Sequence, residues 1–166
     1  MKRSAKPRTL SSKIKTPAEL GRLLKRLHRN QEVVFTNGCF DLLHKGHVTY
    51  LQAARGQGDL LVVALNSDAS VRKLKGQDRP LVTLADRLEV MASLEAVDYV
   101  TWFPQDTPLT LINLLHPHVL VKGGDWKAGQ IVGGKEVQSW GGKVKSLRFI
   151  KGRSTTRLIQ RMKKSV

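Results

Sequence analysis

What this chain lacks narrows it first. Its 166 residues include a single cysteine, Cys39, so no internal disulfide can form and a reducing, cytoplasmic setting is expected. No apolar run approaches the roughly 18 residues of a membrane span. The basic N-terminus has no apolar stretch behind it, so neither a secretory signal nor membrane insertion is expected. Aromatic residues make up 5% and are not interleaved with basic ones, which argues against a stacking platform for single-stranded nucleic acid. A G-x-x-x-x-G-K-[ST] phosphate loop is absent, as is any paired-cysteine zinc pattern. Acidic residues are scarce: 13 Asp and Glu stand against 29 Lys and Arg, a net charge of +16.

That imbalance sits at the ends. Lys2, Arg3, Lys6, Arg8, Lys13 and Lys15 precede the first acidic residue, Glu19. After the last, Glu136, come Lys143, Lys145, Arg148, Lys151, Arg153, Arg157, Arg161, Lys163 and Lys164. Such charge attracts polyanions and steers small phosphorylated molecules. Residues 1–13 are polar, basic and unpatterned and are expected to form a disordered arm. Residues 14–166 read as one domain, long enough to bury a real core.

The hydrophobic pattern predicts alternating helices and strands. Thr16-Pro17-Ala18-Glu19 is a capping box with proline at the first helical position, and Leu20, Leu23, Leu24 and Leu27 follow as an apolar face. Residues 33–36 and 59–66 are continuous apolar runs, the mark of parallel strands covered on both sides. Further strands are expected at 99–102, 119–121 and 145–149. Helices are expected at 84–94, from Thr107-Pro108 to Leu115, at 136–140 and at 154–164, while 70–80 reads as an irregular basic segment. This alternation implies a Rossmann-like α/β fold, a parallel sheet flanked by helices. In such folds ligands sit beyond the carboxyl ends of the strands. Four polar clusters fall there: 36–47, 66–79, 122–126 and 151–156.

The first cluster organises the rest. The apolar run Val33-Val34-Phe35 leads through Thr36 into Asn37-Gly38, a dipeptide suited to a tight turn. From Gly46 the spacing becomes helical, so His44 and His47 stand at a helix N-terminus. Backbone N–H groups and the positive end of the helix dipole make such a terminus an anion site. Ser154-Thr155-Thr156 opens a second such terminus, which by itself reads equally as an ordinary helix cap. Lys73, Lys75 and Arg79 read either as a solvated basic loop or as cations placed for transferring phosphoryl charge. Arg87 reads as a surface helix arginine or a phosphate contact. Cys39 reads as a plain loop residue.

The segment Thr36-Asn37-Gly38-Cys39-Phe40-Asp41 followed by His44-Lys45-Gly46-His47 resembles the T-x-G-x-F-D-x-x-H-x-G-H signature of the HxGH nucleotidyltransferases. That resemblance implies their fold, and transfer of a nucleotidyl group from a nucleoside triphosphate with Mg²⁺ carried by it. It implies His44, His47 and Lys75 as catalytic residues. Nucleotide contacts are implied for Thr36, Asn37, Gly38, Phe40, Gly46, Arg87, Lys122, Gly123, Asp125, Ser154, Thr155 and Thr156, and substrate contacts for Asp41, Lys73 and Arg79. No protein-held metal site is implied. Arg153 stands where the family often has isoleucine before the serine.

Over residues 31–162 the likeness narrows. Asn66-Ser67-Asp68-Ala69-Ser70, Leu74-Lys75-Gly76, Leu94-Glu95-Ala96-Val97-Asp98, Val121-Lys122-Gly123-Gly124-Asp125-Trp126 and Gly134-Lys135-Glu136-Val137 resemble the adenylyltransferases of ADP-heptose synthesis. The implied substrates are ATP and D-glycero-β-D-manno-heptose 1-phosphate, and the implied assembly is a homodimer. A cytidylyltransferase for glycerol 3-phosphate or a similar alcohol phosphate is the alternative on the same frame. A polyanion-binding module without activity is the alternative of another class.

Overall fold

The computed structural model describes residues 9–124, 126–148 and 155–163. Among these, five parallel strands form one sheet: β1 (Val33–Gly38), β2 (Leu60–Asn66), β3 (Tyr99–Phe103), β4 (Val119–Gly123) and β5 (Lys143–Leu147). Their spatial order is β3-β2-β1-β4-β5, so strand order reverses between β1 and β4. The expected Rossmann-like sheet is therefore present.

β2 shows why the strands are apolar throughout. All seven of its residues are buried, and successive side chains point to opposite faces. Leu60, Val62 and Ala64 pack on one side with Leu20 and Leu24 of α2 (Pro17–Leu27) and Leu111, Ile112 and Leu115 of α6 (Leu109–Leu115). Leu61, Val63 and Leu65 pack on the other with Tyr50, Leu51 and Ala54 of α3 (Lys45–Arg55) and Leu88, Met91 and Ala92 of α5 (Leu84–Ala92). Thr16 and Glu19 close the predicted capping box on α2, each bonded to the other's backbone N–H.

Several boundaries differ from the sequence reading. Residues 70–75, within the 70–80 stretch expected to be irregular, belong to α4 (Asp68–Lys75), with the Ser67 side chain accepting from the Ser70 N–H and Asp68 in its first turn. Most of its residues are polar, and only Ser70 and Val71 are buried. α6 begins after Pro108 without a side-chain cap, so Thr107 does not start it. α7 (Gly134–Ser139) and β5 each begin two residues early. Residues 10–13, assigned above to an unpatterned arm, form the helical turn α1 (Leu10–Lys13). The following Ile14 bridges Val100, the Lys15 N–H donates to the Val100 carbonyl at 2.9 Å, and Lys13 Nζ reaches the Leu94 carbonyl at 3.1 Å. Pairing there shields the otherwise open edge of β3. Residues 1–8 of that arm lie outside the described residues. The last helix is α8 (Thr155–Lys163).

Candidate active site

The crevice opens where strand order reverses. Lys122, near the end of β4, donates from Nζ to Asn37 Oδ1 on β1 at 3.3 Å, which joins two predicted residues across the switch point. Beneath them Thr36 is fully buried, and its hydroxyl shares a 2.7 Å hydrogen bond with the Tyr50 hydroxyl, which also donates to the Val121 carbonyl at 3.4 Å. The Thr36 side chain, expected at the nucleotide, is thus an internal tie between β1 and α3. Tyr50, which the motif does not include, is its partner.

After Gly38 the chain turns sharply. Phe40 adopts φ 44°, and its ring comes so near Gly38 that a Cβ there would lie 2.8 Å from Cε2. The same ring meets His47 edge-on at 5.2 Å between centroids. His44 sits in extended conformation as the N-cap of α3, and its ring stacks on that of His47 at 3.9 Å and 17°. Gly46 between them is buried. Burial, with His44 alongside, depresses the His47 pKa to about 4, so at neutral pH the imidazole is uncharged. Its Nδ1 is buried and has no hydrogen-bond partner among the described residues. A neutral ring of this kind serves as a hydrogen-bonding group and not as a cation.

The remaining cations divide. Lys75 is exposed at the end of α4. Lys75, Arg87, Arg79 and Lys122 all act electrostatically to lower the pKa of the Cys39 thiol. Burial outweighs them and pushes that thiol up, so Cys39 carries no thiolate and remains a loop residue. Burial likewise lowers the Lys122 pKa, and Lys75 lowers it further.

Three predicted contacts are otherwise engaged. Arg87, expected at a nucleotide phosphate, is only 2% exposed. Its guanidinium donates to the carbonyls of Val82 (3.0 Å), Cys39 (2.7 Å) and Asn66 (3.0 Å) and to Asp68 Oδ1 (2.6 Å). Asp41, expected at substrate, accepts from the Leu81 and Val82 N–H groups at 2.9 Å and from Arg79 Nε. Burial raises its pKa, but these donors together outweigh it and hold the carboxyl below its usual range. Lys73 pairs at 3.0 Å with Asp106, both about 70% exposed, a surface contact beside the crevice. Arg79 remains at the crevice, tied to Asp41. Sequence spacing could not show these partners, since the side chains and their acceptors lie up to 48 residues apart.

On the far side, the Gly123 carbonyl accepts the indole N–H of Trp126 at 3.0 Å. The Thr155 hydroxyl donates to the Leu42 carbonyl at 3.0 Å, which brings the start of α8 onto the histidine loop; Thr156 beside it is exposed. Asp125 and Ser154 lie outside the described residues. Three of the four polar clusters named above therefore meet around the β1–α3 turn, and Thr155 and Thr156 of the fourth stand beside it.

Residues 35–161 match the family described as cytidylyltransferase-like. The chain belongs to that family. It is 53% identical over 152 residues to the bifunctional protein HldE of Citrifermentans bemidjiense, which covers 91% of this chain and 31% of that protein. With HldE of Geobacter sulfurreducens the identity is 55% over 137 residues, 82% of this chain and 28% of the relative. The chain thus spans about a third of the length of the curated relatives it matches. Among solved structures it resembles the lipopolysaccharide core biosynthesis protein of Thermoplasma volcanium, with a TM-score of 0.61 and 25% identity over 75% of this chain and all of that one. Pantoate-beta-alanine ligase of Francisella tularensis shares the fold at TM-score 0.60 and 17% identity, over 86% of this chain and 68% of the ligase.

Nucleotidyltransferases that use ATP generally need a divalent metal. Among the described residues no group of three or more His, Cys, Asp or Glu side chains could hold one, and Asp41 and Asp68 are both bound to arginines. A metal carried by the nucleotide's own phosphates would need no such set among the described residues. No helix among the described residues is long and apolar enough to cross a membrane.

Proposed function

We propose that this chain transfers AMP from ATP to D-glycero-β-D-manno-heptose 1-phosphate, giving ADP-heptose and pyrophosphate for the lipopolysaccharide inner core. The observation that carries the reading is the stacked His44–His47 pair at the N-terminus of α3, at the switch point of a sheet whose sequence is 53% identical to HldE over most of its length. The heptose assignment is supported by the Lys122-Gly123-Gly124 and Gly134-Lys135-Glu136 segments.

A sugar phosphate is already ionised at neutral pH, so it needs no general base. Its phosphate oxygen attacks the α-phosphorus of ATP in line. As that bond forms, the bond from the α-phosphorus to the α–β bridging oxygen breaks, and that oxygen leaves with pyrophosphate. The protein's task is to align the two and to stabilise the charge that develops. We assign that stabilisation to the neutral imidazole of His47, stacked on His44, and to the lysines Lys75 and Lys122. Asn37, Gly38, Gly46, Thr155 and Thr156 line the nucleotide's approach, and Mg²⁺ brought with the triphosphate would help neutralise its charge. We place the reaction in the cytoplasm and assign the working form as a homodimer.

Pyrophosphate release, measured with each of four nucleoside triphosphates against a panel of sugar and polyol phosphates, tests the reading. The expected maximum is ATP with the heptose 1-phosphate. Faster turnover of CTP with glycerol 3-phosphate would overturn it, and no turnover with any pair would return the chain to a binding role.

A further inference from the structure

Arg87 has the most demanding position in the molecule. It is the largest side chain that is fully buried, and burying a guanidinium is costly unless its donors are met. Its four hydrogen bonds reach three separate stretches: the Cys39 carbonyl in the histidine loop, the Asn66 carbonyl at the end of β2 with the Asp68 carboxylate just beyond it, and the Val82 carbonyl ahead of α5. Asp41 grips the same segment from the opposite side, through the N–H groups of Leu81 and Val82 and the side chain of Arg79. Residues 79–82 are therefore held between an arginine that takes their carbonyl and a carboxylate that takes their amides. None of these four Arg87 donors points at open solvent.

We propose that Arg87 is a positioning residue for nucleotidyl transfer: it touches no substrate and sets the distance between the histidine loop and the cationic 75–82 segment. This rests on the reading above, deepens it, and assigns Arg87 a role other than phosphate contact. A planar fork with fixed donors suits the task, because one side chain can meet several carbonyls at set angles, which a lysine cannot do. A shift of about 1 Å in such a frame is enough to cost about 10²-fold in rate.

The test pairs kinetics with hydrogen exchange on the full chain, using Arg87→Lys, Asp68→Asn and Asp68→Ala. Exchange is read by mass spectrometry on a peptide containing Leu81 and Val82, whose amides Asp41 holds. Positioning predicts that kcat falls about tenfold or more in Arg87→Lys while KM for ATP moves less than about threefold, and that protection of Leu81 and Val82 falls with it. Asp68→Ala, which removes one of the four bonds, should give smaller losses of both, and Asp68→Asn, which keeps an oxygen acceptor, smaller still. A rise in KM for ATP above about tenfold with protection intact would make Arg87 a phosphate ligand and overturn the proposal. If Arg87→Lys does not fold, Asp68→Ala decides: unchanged kcat and unchanged protection overturn it. Should the wild type turn over no substrate pair, the transfer reading fails, while the exchange ranking still tests the clamp.

Discussion

Protonation of His47 offers a quantitative test of how the site is built. In the folded chain its pKa is depressed from 6.5 to about 4, chiefly by burial and secondarily by the ring of His44. Between those values the unfolded chain binds a proton that the folded chain refuses. Stability contributed by the neutral ring is thus complete above pH 6.5 and is lost as the pH falls toward 4. A gap of about 2.5 units corresponds to about 3 kcal/mol at 1.36 kcal/mol per unit. The ring is only partly buried, so solvent screening reduces this to roughly 1.5 kcal/mol. For a domain of this size that is roughly 3–6 °C in Tm.

His28 is depressed in the same direction, by burial and by His118 and His116, and so contributes to the same loss. The informative quantity is the difference between wild type and His47→Gln, followed by thermal melting from pH 7.5 to 4. His47→Gln should lose less Tm across that interval by roughly the amount above. At pH 7 His47→Ala should lower kcat by about 10² to 10³ with little change in ATP affinity, and His47→Gln should recover part of the loss by keeping a donor. Parallel melting curves for wild type and His47→Gln would refute the buried neutral ring. A covalent AMP adduct on His44, His47 or Cys39 would refute direct transfer.

Two further outcomes follow from contacts outside the crevice. Tyr50→Phe leaves the buried Thr36 hydroxyl without its 2.7 Å partner and should cost about 1–3 kcal/mol; the double variant with Thr36→Val should be more stable than Tyr50→Phe alone, and equal melting temperatures would show that the pair is not coupled. Deleting residues 1–13 removes the Lys13–Leu94 contact and the packing of α1 on α5, so Tm should fall by a few degrees, about what 1 kcal/mol produces, with kcat unchanged. A kcat loss above about tenfold would place this segment in the site.

The frame of the fold was legible because its signals are local and strong. β1 and β2 show as continuous apolar runs, and α2 shows as a capping box whose bonds are all formed. α4 was missed because it is short and mostly polar, with only Ala69, Val71 and Leu74 apolar and Leu74 54% exposed. Its one local sign was Ser67 ahead of Asp68. The histidine motif was legible for a similar reason, since loop, glycine and helix start lie within fifteen residues. The use made of Asp41, Arg79 and Arg87 was not. A sequence shows that a cation is near a phosphate-binding loop, but whether it meets a carbonyl 48 residues away or a ligand depends on tertiary reach.

That division of labour has a chemical logic. The chain carries +16 net charge, yet its two crevice arginines are largely neutralised within the protein, Arg87 by Asp68 and three carbonyls and Arg79 by Asp41. Arginine's fixed fork is well used where several acceptors must be held at once, and its charge cannot be withdrawn by deprotonation. The lysines are disposed differently. Lys75 is exposed, and Lys122 donates to Asn37 at 3.3 Å in surroundings that disfavour its charge. A polyanion entering between them would relieve that penalty on Lys122, whereas at Arg87 it would find four of the five N–H donors already engaged. We therefore assign phosphate binding at this site to lysines and helix termini, with the arginines keeping the loops that carry them at a fixed separation.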